Sequence, residues 1–240
     1  MTRQWFESWF GEEYVALYPH RDSEDAENAV ELIERNFKGS SAPRVLDLAC
    51  GGGRHAKLLS ARWDTVGLDL SSVLLRLARS EAPAASFVRG DMRVLPFRRG
   101  AFDLVVNLFT SFGYFDDDAS HQHVIQEVAR VTAPGGTFVL DFLNTDHLLD
   151  TLVAYDERSI GGKVIEQRRE ISGDGRYVIK RICIRGESRE FTEKVRLFEK
   201  GELTRMMEES GFEVSATFGG YDAQPMTDES PRVILFGARR

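Results

Sequence analysis

Three acids have the types and spacing to do chemistry together. Asp47 sits inside the apolar run Val45-Leu46-Asp47-Leu48-Ala49, just before Cys50-Gly51-Gly52-Gly53. Asp69 closes the run that begins at Thr65, and Gly90-Asp91-Met92 follows the short run Ser86–Arg89. Glycines between a strand and a helix let backbone approach a ligand where a Cβ would clash. An acid in the buried strand before them needs a partner. It can pair with an ammonium group and is unwelcome beside a pyrophosphate. An acid ending the next strand can accept both hydroxyls of a ribose. An acid after the third can accept an adenine amino group while Met92 packs on the ring. Together these positions suit a ligand that carries an ammonium, a ribose and an adenine.

Other readings stay open at this point. Taken as Gly51-x-Gly53-x-x-Ala56, the glycines also fit the dinucleotide fingerprint, which would make a NAD-dependent oxidoreductase. Asp69 and Asp91 also read as strand-end caps. Cys50 reads as a small packed residue, and Asp103 as structural. Asp141 either faces a substrate or satisfies a nearby backbone group.

The elements that must hold these acids follow a regular rhythm. Acidic Glu24, Asp25 and Glu27 after Ser23, then Val30, Ile33 and Phe37, predict a helix over 23–38. Strands are predicted at 45–49, 65–70, 86–89, 102–108 and 137–143. A helix through about Ala61, one capped by Ser71, and one carrying Val124, Ile125 and Val128 lie between them. Pro134-Gly135-Gly136 ends the last of these. Such βαβ alternation implies a parallel sheet covered on both faces. After about residue 150 the rhythm changes. Strands at 163–171 and 176–185 meet at Asp174-Gly175, a hairpin signal, and Phe191, Val195 and Leu197 suggest a third. A short helix around Leu203, ended by Gly211, and strands at 212–218 and 232–238 complete the core.

Residues 44–144 resemble the core of the class I S-adenosylmethionine-dependent methyltransferases, and small-molecule methyltransferases in particular. The likeness rests on Asp47 with its glycine turn, Asp69, Asp91, Phe102-Asp103 opening strand four, and Pro134-Gly135-Gly136 before strand five. It implies an α/β, Rossmann-like doubly wound sheet, mostly parallel, with an antiparallel last strand. A small antiparallel β insertion and an N-terminal helical lid are added to it. Expected units are 1–43 (lid and helix), 44–150 (cofactor-binding half), 151–199 (insertion) and 200–240 (completion of the core). The implied cofactor is S-adenosyl-L-methionine. Its expected contacts are Asp47, Ala49, Gly51, Gly53, Asp69, Leu70, Asp91, Met92, Asn107 and Leu108, with Tyr18 and Arg21 from the lid. The implied reaction is methyl transfer to an oxygen or nitrogen of a small molecule.

The acceptor should lie beyond the fourth strand. Phe109, Phe112 and Tyr114 are its expected contacts, within the run Phe109–Phe115. No catalytic group stands out; His20, Tyr18 and Tyr114 are the candidates. Trp5, Phe6 and Trp9 are expected to pack on the core. His55, His121, His123 and His147 are expected at the surface or at helix ends.

The chain has 240 residues, 42% of them hydrophobic, enough for one sizeable α/β domain. A net charge of −7 argues against a broad field for long nucleic acid. A transfer-RNA methyltransferase remains the alternative, with Arg168, Arg169, Lys180, Arg181 and Arg185 as its basic patch. Two cysteines without Cys/His clustering predict no metal site. No window approaches the roughly 18 apolar residues of a membrane span, and no signal pattern opens the chain. A cytoplasmic location without a membrane partner is the expectation.

Overall fold

Buried apolar runs alternating with amphipathic helices set the architecture. The computed structural model describes residues 4–18 and 23–240. The chain opens with α1 (Trp5–Trp9), α2 (Glu12–Leu17) and α3 (Ser23–Asn36). Then come β1 (Arg44–Leu48), α4 (Arg54–Ser60), β2 (Asp64–Asp69), α5 (Ser72–Glu81) and β3 (Ser86–Arg89). They are followed by β4 (Phe102–Asn107), α6 (Asp118–Val131), β5 (Thr132–Leu143) and α7 (Thr145–Thr151). The insertion holds β6 (Tyr155–Ile160), β7 (Lys163–Ile171), β8 (Tyr177–Ile184) and β9 (Glu190–Arg196). The chain closes with α8 (Lys200–Glu209), β10 (Phe212–Phe218) and β11 (Arg232–Arg239).

The larger sheet has seven strands in the order β10-β11-β5-β4-β1-β2-β3. Strands β1 to β5 run parallel, and β11 runs antiparallel to both neighbours. The fold is therefore α/β and Rossmann-like. Alternate residues of the central strands feed two cores, as a sheet covered on both faces requires. Leu46, Leu48, Val105, Leu140 and Phe142 pack with α6 and α8, whereas Val45, Leu104, Val106 and Val139 pack with α3 and α4. Strand order reverses between β1 and β4, which opens a crevice at the carboxyl ends of the strands.

The smaller sheet, β6-β7-β8-β9, is an antiparallel meander. Ile165, Ile182, Ile184 and Phe191 on one of its faces bury Trp9, Tyr14 and Leu17 of α1 and α2. The N-terminal helices are thus packed against the insertion through a third apolar cluster. Neither α1 nor α2 is long enough to be stable alone, so this burial holds them.

Three expectations need correction. Helix α6 ends at Val131, and β5 starts at Thr132 rather than 137. Thr132 is already extended and pairs with Phe102, so Pro134-Gly135-Gly136 forms an irregularity inside the strand. Strand β6 and helix α7 were not expected at all. β6 is almost wholly exposed and so lacks alternation, and its turn is the Gly161-Gly162 pair, both with positive φ. His55 and His121 do stand at helix ends, in the first turns of α4 and α6, but they are buried. Among the described residues no helix is long and apolar enough to cross a membrane.

Candidate active site

A cleft of about 490 Å³ opens at the carboxyl ends of the strands. Its polar wall is Asp69, Leu70 and Ser71 after β2, with Gly90, Asp91 and Met92 after β3. Its aromatic wall is Phe6 from α1 and Phe10 just after it, with Tyr114 and Phe115 from the loop after β4. Ala49 lies between them. The Tyr114 ring packs 5.2 Å from Trp5 and 5.8 Å from Phe10, centre to centre.

The glycine turn owes its shape to close packing. Gly53 has a φ of +85°, and a Cβ there would stand 2.9 Å from the Ala78 Cα of α5. Ala49, at φ +59°, adopts the left-handed region without being glycine, a strained geometry that clusters at functional sites. Asp69 fixes this turn from outside. Its Oδ2 accepts the Gly51 amide at 2.9 Å and its Oδ1 accepts the Ser71 amide at 2.8 Å. Ser71 Oγ in turn caps α5 by accepting from Leu74 N at 3.1 Å.

Asp47 is 1% exposed, and its Oδ2 has no hydrogen-bond partner. Burial pushes its carboxyl up to about 7, helped by the charge of Asp69; Arg54 and the Ala56 amide pull the other way. A buried carboxylate with an orphaned oxygen beside a glycine turn is the acceptor an ammonium group needs. Burial also raises Asp69, against three backbone hydrogen bonds that lower it. Cys50 is likewise pushed well up by burial and by both acids, so it stays a thiol and not a nucleophile.

Asp91 has a partner that sequence reasoning missed. Arg93 grips it with Nη2 to Oδ2 at 2.6 Å and Nε to each oxygen at 3.1 Å. Burial would raise the Asp91 carboxyl, but the bonds and charge of Arg93 outweigh it and hold it below the usual range. A ligand amino group must therefore share this carboxylate with Arg93, whose guanidinium also lies 4.9 Å from the Phe115 ring centre.

The cleft thus brings together Ala49, Asp69, Leu70, Asp91, Met92 and Tyr114. Asn107 and Leu108 are buried, and Asn107 Nδ2 donates to Leu48 O at 3.0 Å and Ser111 O at 3.3 Å. Asn107 joins the two strand ends through its side chain. Phe112, expected to touch the acceptor, is 2% exposed and stacks among His121, Phe142 and Phe198. Its ring points into the core, away from the cleft. Phe109 stands between two guanidinium groups, Arg54 at 4.4 Å and Arg232 at 5.5 Å from its ring centre. Tyr18 lies against the smaller sheet, where its hydroxyl accepts from Lys180 Nζ. His20 and Arg21 lie outside the described residues. Among the described residues no group of His, Cys, Asp and Glu is arranged to hold a metal ion.

A doubly wound sheet with an acid-lined crevice beside a glycine turn defines a nucleoside-binding enzyme fold. Comparison with known proteins gives the family. Residues 45–136 match the family described as "Methyltransferase domain". The chain is 30% identical over 189 residues to the phthiotriol/phenolphthiotriol dimycocerosates methyltransferase of Mycobacterium leprae, covering 70% of this chain and 68% of that protein. It is 33% identical over 131 residues to the dTDP-3-amino-3,4,6-trideoxy-alpha-D-glucopyranose N,N-dimethyltransferase of Streptomyces venezuelae, covering 53% of this chain and 54% of that one. A sugar N-methyltransferase structure from Streptoalloteichus sp. ATCC 53650 superposes with a TM-score of 0.73 at 25% identity, covering 96% and 94%. The chain belongs to the S-adenosylmethionine-dependent methyltransferases, which sets the NAD-dependent reading aside. It spans about half the length of two of the curated relatives it matches, 51% and 54%.

Proposed function

We propose that this chain transfers a methyl group from S-adenosylmethionine to an amine or hydroxyl of a small molecule. The observation that carries the reading is the roofed cleft. Phe6 of α1 and Phe10 just after it face an acid-lined floor across about 490 Å³, a size that suits the cofactor with a small acceptor. The likeness to amino-sugar N-methyltransferases favours an amine.

In this reading Asp47 holds the ammonium, Asp69 the ribose hydroxyls, and Asp91 with Met92 the adenine. The backbone of Ala49, Gly51 and Gly53 lies along the cofactor, and Leu70 packs beside the ribose. When bound, S-adenosylmethionine supplies a sulfonium methyl as the electrophile. The aromatic wall excludes water and favours the cation. Tyr114 is the described candidate for orienting the acceptor or taking its proton. An unprotonated amine needs no base to attack. Its lone pair would form the new carbon–nitrogen bond as the methyl carbon–sulfur bond breaks and S-adenosylhomocysteine leaves, and the amine proton would pass to solvent or to Tyr114.

Four of the five residues of the basic patch have acidic partners, which counts against the RNA reading. Arg169 pairs with Asp156, Lys180 with Glu193, Arg181 with Glu170, and Arg185 with Glu157 and Glu166, while Arg168 lies over the Tyr155 ring. Such pairing weakens the field that phosphates require.

The test is calorimetry with S-adenosylhomocysteine, followed by methyl transfer from labelled S-adenosylmethionine to a panel of amines, hydroxyls and nucleotide-linked amino sugars. Binding and turnover on the amines are expected. Salt-sensitive transfer to RNA with no turnover on the panel overturns the small-molecule reading. No binding at millimolar ligand overturns the cofactor assignment.

A further inference from the structure

Asp141 is 0% exposed near the end of β5, outside the cleft, yet both its carboxylate oxygens and its carbonyl are used on one loop and its supports. Its Oδ2 accepts the Phe109 amide at 2.7 Å and the Tyr221 hydroxyl at 2.8 Å. Its Oδ1 accepts from Arg232 Nε, and its backbone carbonyl accepts the Thr110 amide at 3.1 Å. Arg232 continues to Thr110 Oγ1 at 3.1 Å. The two residues gripped, Phe109 and Thr110, have φ of +58° and +60°. Consecutive left-handed residues that are not glycine persist only where the surroundings over-determine them.

The aromatic wall comes directly after that turn. Asn107 holds Ser111 O, Phe112 is driven into the core, Gly113 O accepts the Arg196 amide at 2.7 Å, and His121 Nε2 accepts the Phe115 amide at 3.2 Å. Tyr114 and Phe115 then emerge into the cleft. The strained turn thus opens the stretch in which one ring faces inward and the next two face the cleft. A buried ion pair is a weak source of stability compared with apolar residues of the same size. Its use here therefore points to geometry.

We propose that Asp141 is a positioning residue for methyl transfer: it holds the Phe109-Thr110 turn in its left-handed form and so aims Tyr114 at the reacting groups. The inference rests on the methyltransferase reading of the cleft. The role is distinct from cofactor binding, because Asp69 and Asp91 are held by separate loops.

The test labels tyrosines with 3-fluorotyrosine and assigns Tyr114 by its loss in Tyr114→Phe. Fluorine spectra are then compared for the wild type, Asp141→Asn and Tyr221→Phe, the last keeping the ion pair if the first folds poorly. A shifted or broadened Tyr114 resonance is expected in both variants, larger in Asp141→Asn. S-adenosylhomocysteine affinity should hardly change, while turnover on the best amine of the panel falls by up to about 100-fold, as misplacement by an ångström can cost. An unmoved Tyr114 resonance in a folded variant overturns the proposal, and so does a loss of cofactor affinity matching the loss of turnover. If the wild type does not bind S-adenosylhomocysteine, the methyltransferase reading fails instead. The fluorine comparison without ligand still decides whether Asp141 positions Tyr114.

Discussion

Gly51 donates its amide hydrogen to Asp69 Oδ2 across 2.9 Å, so the carboxylate that ends β2 also shapes the glycine turn that follows β1. Asp69 is therefore both an expected ribose acceptor and a brace for the backbone beside the ligand. Asp69→Ala should weaken S-adenosylhomocysteine binding by about 1.5–3 kcal/mol through lost charge-assisted hydrogen bonds. It should also cost about 1–3 kcal/mol of stability, because the Gly51 and Ser71 amides lose their acceptor. Calorimetry and urea unfolding separate the two effects. Unchanged affinity in a folded variant removes Asp69 from the cofactor site.

Asp47 and His121 should bend the pH–stability profile in opposite directions. The Asp47 carboxyl is pushed up from 3.8 to about 7 in the fold, by burial first and Asp69 second. Between those values the native state keeps a proton the unfolded chain has lost. Its contribution is therefore fully present below pH 4 and fades as pH rises to 7. Burial lowers the His121 imidazole from 6.5 to about 4, so there the unfolded chain holds the extra proton. Stability from this residue is present above pH 6.5 and lost as pH falls towards 4. A tenfold difference in proton affinity between folded and unfolded chain is worth about 1.4 kcal/mol, so the two groups largely offset each other in the wild type. Asp47→Asn should leave a stability that rises with pH, and His121→Gln one that falls, in urea titrations from pH 4.5 to 7.5. S-adenosylhomocysteine affinity should increase through pH 7 as Asp47 ionises, and lose that dependence in Asp47→Asn. A slope common to all three proteins would show that neither group is responsible.

The central strands were legible in the sequence because strands buried on both faces read as unbroken apolar runs. Against those runs Asp47 stood out inside one, Asp69 at the end of another and Asp91 just after a third. The rest depends on distant partners or on turns whose shape no spacing announces. Asp141 meets Tyr221 and Arg232 across separations of 80 and 91 residues, which no local spacing announces. Asp91 and Arg93 meet only because a turn after β3 folds one onto the other. In Phe109–Phe115, four aromatics within seven residues offer no period. The positive φ of Phe109 and Thr110 is invisible in a sequence, and so is the division that follows them, with Phe112 inward and Tyr114 and Phe115 in the cleft.

That division of the loop should separate stability from turnover. Phe112→Ala should cost about 3–5 kcal/mol of stability, the range for emptying a buried aromatic site. The enzyme that remains folded should keep its KM for the acceptor. Tyr114→Ala should do the reverse, with a modest stability loss and a large fall in turnover. Unfolding curves and steady-state kinetics on the two variants provide the check. Equal effects of the two on turnover would mean that the loop acts as one packed unit.

Helices α1 and α2 lie between the cleft and the smaller sheet, and their residues serve both surfaces. Phe6 and Phe10 line the cleft, while Trp9, at 2% exposure, stacks 4.5 Å from the Phe191 ring and donates from Nε1 to Glu193 Oε1 at 2.8 Å. Ser71 Oγ, beside the expected ribose site, donates to the Phe10 carbonyl. Deleting the segment would therefore uncover an apolar cluster and is a poor test of a lid. A better one is amide exchange over residues 4–18. Helices of five and six residues have little stability of their own, so they should open locally, well below the global unfolding energy. A ligand at about 100 times its Kd adds roughly 2.7 kcal/mol to any state that alone can bind it. If closure is needed for binding, S-adenosylhomocysteine should slow exchange in this segment by up to about 100-fold. Trp9→Phe, which removes the bond to Glu193 and part of a buried ring, should speed exchange without ligand and weaken affinity in proportion. Protection that appears at the ends of β2 and β3 but not in residues 4–18 would mean that the segment is packing alone and that the cofactor enters without moving it.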